Sequence, residues 1–103
     1  MVVSEGRVVT TAASKYLQQL CKHFRHKVDV DFDATRGRVD FPFGDCRLEA
    51  RADELIMRCE APDAEASARM QSVLTIHLER FAWREKAVVT WAAEAAPQAR
   101  AAG

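Results

Sequence analysis

The apolar positions of the chain change period twice, and the changes divide it into elements. From Ala13 to Phe24 the spacing is three and four, so Ala13, Tyr16, Leu17, Leu20, Cys21 and Phe24 share one helical face. Lys15, Lys22, Arg25 and His26 fall off that face, and His23 and Lys27 sit at its edge beside Tyr16. Thr11 is placed to cap this helix, which is expected to run to about His26. Between residues 28 and 60 the period drops to two. Val28, Val30 and Phe32 alternate with Asp29, Asp31 and Asp33; Val39, Phe41 and Phe43 alternate with Arg38, Asp40 and Pro42. Cys46, Leu48 and Ala50 alternate with Arg47, Glu49 and Arg51; Leu55, Met57 and Cys59 alternate with Ile56, Arg58 and Glu60. Breaks fall at Thr35-Arg36-Gly37, Gly44-Asp45 and Asp53-Glu54. The pattern predicts a four-stranded antiparallel meander with one apolar and one charged face. Pro42 lacks a ladder donor, so its strand is expected to end or bulge there. The helical period then returns. Asp63 caps a second helix with Glu65 in its first turn, and Met70, Val73, Leu74, His77, Leu78 and Phe81 form its inward stripe. Short strands are expected at Arg7–Thr10 and Ala87–Trp91.

The resulting order is β-α-β-β-β-β-α-β. Two amphipathic helices must bury their stripes on the apolar face of the sheet, which gives an α+β, two-layer sandwich. The first seven elements follow the order of the TATA-binding-protein-like and helix-grip-like folds, an analogy of architecture that carries no function. Residues 1–91 are expected to form a single α+β domain. Residues 92–103, Ala-rich and containing Pro97, are expected to be a disordered C-terminal tail.

Composition narrows the setting. The 103 residues fit one domain, which buries roughly 65% of its unfolded surface without staples. With 15 basic and 15 acidic side chains, the formal net charge is zero, which argues against general adhesion to nucleic acid or membrane. The charge is unevenly placed. Residues 1–28 carry five basic and one acidic side chain, and residues 29–65 carry five basic and eleven acidic. The first helix is therefore a basic element beside an acidic middle. Cys21, Cys46 and Cys59 form an odd set without a CxxC motif, and Met1–Gly6 has no apolar run of signal-peptide type. A cytoplasmic chain with free thiols is the expectation.

Candidate chemistry gathers at two basic-aromatic segments, Tyr16–Lys27 and His77–Lys86, which hold all three histidines. His77 lies where a small domain would normally place leucine. It is read either as a core histidine with one ring nitrogen satisfied or as a neutral imidazole facing a pocket, able to exchange a proton near pH 7. His23 and His26 are spaced to share a metal, but no HExxH or CxxC supplies further ligands, so no metal and no cofactor are expected. Asp29, Asp31, Asp33 and Asp40 imitate a calcium loop, yet Ala34 stands where glycine is needed and the interleaved Val28, Val30 and Phe32 suit a strand. Arg80 and Arg84 lie one turn apart and can clamp a carboxylate or phosphate with their guanidinium forks. Trp83 points off the Phe81 stripe toward a second surface or a subunit contact. Ser14, Ser67 and Ser72 sit in no nucleophile elbow, and Cys21 has no evident partner.

The segments YLQQLCKHFRHK, RVDFPFGDCRLEA and HLERFAWREK, in this order and spacing, resemble a family of small bacterial proteins known as domain of unknown function 2218. The resemblance spans about residues 7–91. It implies no established activity and supplies no catalytic residues; some relatives are associated with siderophore utilisation, which implies a role near iron-chelate handling.

The residues favour a binding module. A small, anionic ligand or a protein partner would be held by a rim of His23, Lys27, His77, Arg80 and Arg84, within roughly 10 Å of a common pocket. The alternative is a small enzyme using His77 or His23 as acid–base on an anionic substrate oriented by Arg84 or Lys27. Catalytic residues are unassigned, nucleic acid and membrane are not expected as partners, and the chain is expected to be a monomer or homodimer.

Overall fold

In the computed structural model, which describes residues 1–93, eight elements follow the expected order. They are β1 (Val2–Val9), α1 (Ala13–Phe24), β2 (Asp29–Phe32), β3 (Arg36–Phe41), β4 (Gly44–Ala50), β5 (Glu54–Ala61), α2 (Ala64–Phe81) and β6 (Thr90–Ala93). The strands form one sheet in the order β2-β3-β4-β5-β1-β6, with every neighbouring pair antiparallel. β2 to β5 make the predicted meander. β1 then pairs with β5, and β6 closes the other edge of β1.

Both helices pack on one face of this sheet. α1 buries Ala13, Tyr16, Leu17, Leu20, Cys21 and Phe24, the face its spacing predicts. α2 buries Met70, Leu74 and Leu78 fully, together with Ser67. Between helices and sheet lie Val8, Val39, Cys46, Leu48, Leu55, Met57 and Cys59. Each such large apolar side chain contributes about 1.5–3 kcal/mol relative to an exposed position. The three cysteines are buried free thiols. Burial pushes Cys21 up to about 11, and Cys46, facing Cys59, is raised further by their mutual hydrogen bond and burial.

Several boundaries differ from the sequence reading, each for a local reason. β1 begins at Val2 rather than Arg7, because Ser4 and Gly6 occupy inward positions that carry no apolar signal. Gly6 leaves room for Trp91, as a Cβ there would lie 2.8 Å from the indole ring. α1 ends at Phe24, two residues short of His26, and its N-cap residue is Ala12 rather than Thr11. Thr10 serves instead, its Oγ1 accepting the Ala12 N–H at 3.0 Å. Arg36 and Gly37 belong to β3 and not to a break, because the Asp33 carboxylate accepts the N–H groups of Thr35 and Arg36, both at 2.8 Å, and closes the turn earlier. Pro42 and Phe43 form the β3–β4 turn, as Pro42 foretold, so Phe43 is not a strand residue. Asp63 caps α2 as expected, accepting the Ala66 N–H at 2.8 Å. β6 is shifted to Thr90–Ala93, where the Trp91 indole N–H donates to Thr75 Oγ1 at 2.7 Å. Ala92 and Ala93 are thus strand rather than tail, and the remainder of the expected tail lies outside the described residues.

Gly37 sets the height of α1 above the sheet. A Cβ at this position would lie 2.8 Å from Cys21 Sγ and 3.4 Å from Leu17 Cδ2. Its absence lets the helix settle directly on β3, which fixes where the C-terminal turn of α1 meets α2.

Candidate functional site

Contacts along α1 run backward along α2. Near the start of α1 the Tyr16 hydroxyl donates to Glu85 Oε1, which also accepts from Thr10 Oγ1 at 2.9 Å. This short bond to Glu85, then burial, raises the Tyr16 phenol to about 12. Near the end of α1 His23 meets His77 and Phe81, and Phe24 meets His77. The last turn of α1 therefore meets the last turn of α2, and the segment that follows α2 runs back along α1 to Tyr16.

The row Val73, His77 and Phe81 forms the half-buried flank of α2 that faces α1. His23 and His77 stack at a tilt of 43° with ring centroids 4.5 Å apart. Phe24 supports His77 edge-on at 5.2 Å and stands edge-on to Phe41 at 5.0 Å. Phe41 stacks on Phe43 at 5.3 Å, and the Arg69 guanidinium lies over Phe43 at 5.7 Å. The imidazole pair is thus one end of an aromatic ladder that runs from the helix crossing to the β3–β4 turn.

His77 Nδ1 lies 2.7 Å from the Val73 carbonyl oxygen. A carbonyl can only accept, so Nδ1 carries the proton and Nε2 is the basic atom of the neutral ring. His77 therefore combines the two readings offered by its sequence position, with one nitrogen satisfied and a ring only half buried. His23 is exposed at the surface. Its pKa lies below the usual histidine value, first from the partial burial of its ring and then from the charges of His77, Lys27, His26 and Arg80.

Four of the five expected rim residues, His23, Lys27, His77 and Arg80, are brought together, and His26 joins them. Arg84 is not part of this group; it lies over the exposed Trp83 ring at 5.3 Å, next to Glu85 and the beginning of α1. Beside the cluster is a depression of about 540 Å³. Arg25, His26 and Lys27 form one wall, with Asp29, Asp40 and Pro42 opposite. The spacing to His23 singled out His26 only as a metal partner and not as part of the rim; Phe43 and Arg69 were not singled out as site residues, because their place depends on how the β3–β4 turn folds back. Among the described residues no group of three or more His, Cys, Asp or Glu is placed to hold a metal, and no described helix is long and apolar enough to cross a membrane.

Fold and site together define a small α+β domain with a histidine-bearing basic corner. The chain belongs to the family described as an uncharacterized protein conserved in bacteria, DUF2218, whose model matches residues 5–92. It is similar to PA4090 from Pseudomonas aeruginosa, a structure determined by NMR. The two are 37% identical, with a TM-score of 0.76 over 89% of this chain and 96% of the other. No curated protein matches the chain.

Proposed function

We propose that the chain is a binding module that captures an anionic group at the corner formed by His23, Lys27, His77 and Arg80. The observation that carries this reading is the imidazole pair at 4.5 Å, where partial burial and then the charges of His77, Lys27, His26 and Arg80 hold His23 below its usual pKa. An incoming carboxylate, phosphate or catecholate offsets that repulsion, so binding takes up a proton at His23. The association of some relatives with siderophore utilisation makes a catecholate the second anion to test after inorganic phosphate. Buried free thiols agree with a reducing compartment.

The test is calorimetric titration with inorganic phosphate, then catechol, at pH 6.5 in buffers of different ionisation enthalpy. Proton uptake that disappears in His23→Ala and weakens in Lys27→Ala is expected. Binding of neither anion, or binding without proton uptake, refutes the reading. A second reading, an acid–base enzyme acting on an anionic substrate, draws support from His77 Nε2, whose tautomer the Val73 carbonyl fixes. It requires turnover that is lost in His77→Gln while anion binding persists.

A further inference from the structure

The outer face of the sheet, opposite the helices, sorts its charges into rows. Along the middle row Arg38 stands directly opposite Arg47, and Arg47 directly opposite Arg58. Asp31 flanks this row beyond Arg38, and Glu5 flanks it beyond Arg58. One pleat away, Asp29, Asp40, Asp45 and Glu60 form a row of carboxylates across the same strands.

Like charges directly opposite each other destabilise an antiparallel pair. A purely structural face would alternate sign across the strands, as Arg36 and Glu49 do. The three central arginines do not. Asp45 is shared between Arg38 at 3.2 Å and Arg47 at 3.7 Å, while Glu60 meets Arg58 at 3.6 Å. The Arg38 and Arg47 side chains are 57% and 69% exposed, so their forks remain open to solvent.

These arginines border a concavity of about 680 Å³, which lies within the size range of ligand sites. Arg7, Arg36, Arg38, Arg47, Arg51 and Arg58 line it together with four carboxylates, while Asp45, Glu54 and Glu60 pair with these arginines from beside the lining. Its floor includes Ile56, only 7% exposed on an otherwise charged face.

We infer that this concavity is a second binding site, independent of the histidine corner, for a small polyanion. The ligand carries two or three carboxylate or phosphate groups about 5 Å apart, the spacing of neighbouring strands. A short carbon skeleton would rest on Ile56. The adjacent carboxylate row repels an extended phosphodiester chain, so the ligand is compact rather than a nucleic acid. The concave, unevenly charged surface fits such a ligand better than a second copy of the chain, whose equally concave face would leave a void.

The experiment is titration of the full chain with citrate and with tripolyphosphate, with acetate at matched ionic strength as control. In the His23→Ala background, which disables anion capture at the histidine corner, saturable one-to-one binding of a polyanion is expected, with acetate far weaker; which polyanion binds more tightly separates carboxylate from phosphate recognition. Arg47→Gln and, separately, Arg38→Gln should each weaken binding about tenfold or more, while Lys27→Gln, at the other site, leaves it unchanged. Circular dichroism of each variant establishes that it is folded. The inference is overturned if neither polyanion saturates, if folded Arg47→Gln and Arg38→Gln bind as wild type, or if Lys27→Gln alone abolishes binding. It is also overturned if single-stranded DNA outcompetes both polyanions, or if sedimentation shows a dimer that Arg47→Gln dissociates.

Discussion

Replacing Gly37 by alanine tests the seating of α1, on which the histidine corner depends. The new methyl group would lie 2.8 Å from Cys21 Sγ and 3.3 Å from Phe32 Cβ, inside ordinary contact distance. Cys21 is fully buried and cannot swing into solvent. Overpacking of this kind costs about 1–3 kcal/mol. Alanine recovers about 0.5–1 kcal/mol over glycine in a strand, leaving a net loss of about 1–2 kcal/mol. Cys21→Ala alone removes a buried thiol and should cost about 1–2 kcal/mol. In the double variant the methyl group occupies the space the sulfur vacated, so the combined loss should be smaller than the sum by at least about 1 kcal/mol. Urea unfolding followed by Trp91 fluorescence reads these values, with midpoint shifts of about 1–2 M for a slope near 1 kcal/mol per molar urea. The His23 and His77 ring resonances should shift in Gly37→Ala and return in the double variant. A neutral Gly37→Ala, or losses that add within about 0.5 kcal/mol, would refute the seating of α1 on β3.

Further outcomes follow from other parts of the structure. Leu48→Asp, which places a charge in the core, should abolish folding as seen by circular dichroism, whereas Glu49→Ala on the outer face should change stability by about 0.5 kcal/mol or less. Tyr16, the single tyrosine, should form tyrosinate near pH 12 in ultraviolet titration. Because its native pKa is raised, its bond to Glu85 stabilises the fold fully below pH 10 and is lost as pH rises through about 12. His23 has the opposite linkage. Its pKa is lower folded than unfolded, so its contribution is intact above 6.5 and stability falls as pH drops through that value. Replacing His77 by leucine should move the His23 midpoint upward in an NMR titration. Elemental analysis of tag-free protein should find no stoichiometric zinc or iron.

The helical faces and the inward strand positions were legible because each element repeats one period over several turns or pleats. Ala13 to Phe24 needed only their spacing, and Leu55, Met57 and Cys59 only their alternation. β1 was half hidden, since Ser4 and Gly6 are buried for reasons that hydropathy does not record. The pairing of His23 with His77 rested on two stripes meeting, which they do; Arg84 falls elsewhere because α2 ends at Phe81 and the following segment turns back toward Tyr16, a tertiary property. The arginine row was missed for a different reason. Alternation says that Arg38, Arg47 and Arg58 share a face, but only register says they stand opposite one another. The signal was there in the turns: Arg38 and Arg47 are equally far from Pro42-Phe43, and Arg47 and Arg58 from Ala52-Asp53. Placing the second break at Gly44-Asp45 moved the pairing out of line.

The position of β1 between β5 and β6 also orders events in time. β1 is synthesised before β5 and β6, yet Val9 pairs with Glu54 and Val2 with Ala61, more than forty positions later. The meander β2–β5 closes through short turns, so its hairpins can form while β1 still waits. Insertion of β1 beside β5 then closes a far longer loop than any turn of the meander. Its valine-rich strand stays unpaired on both sides until β5 arrives, and on one side until β6 does. A nascent or truncated chain that ends before Thr90 leaves that edge bare, and self-association would begin there.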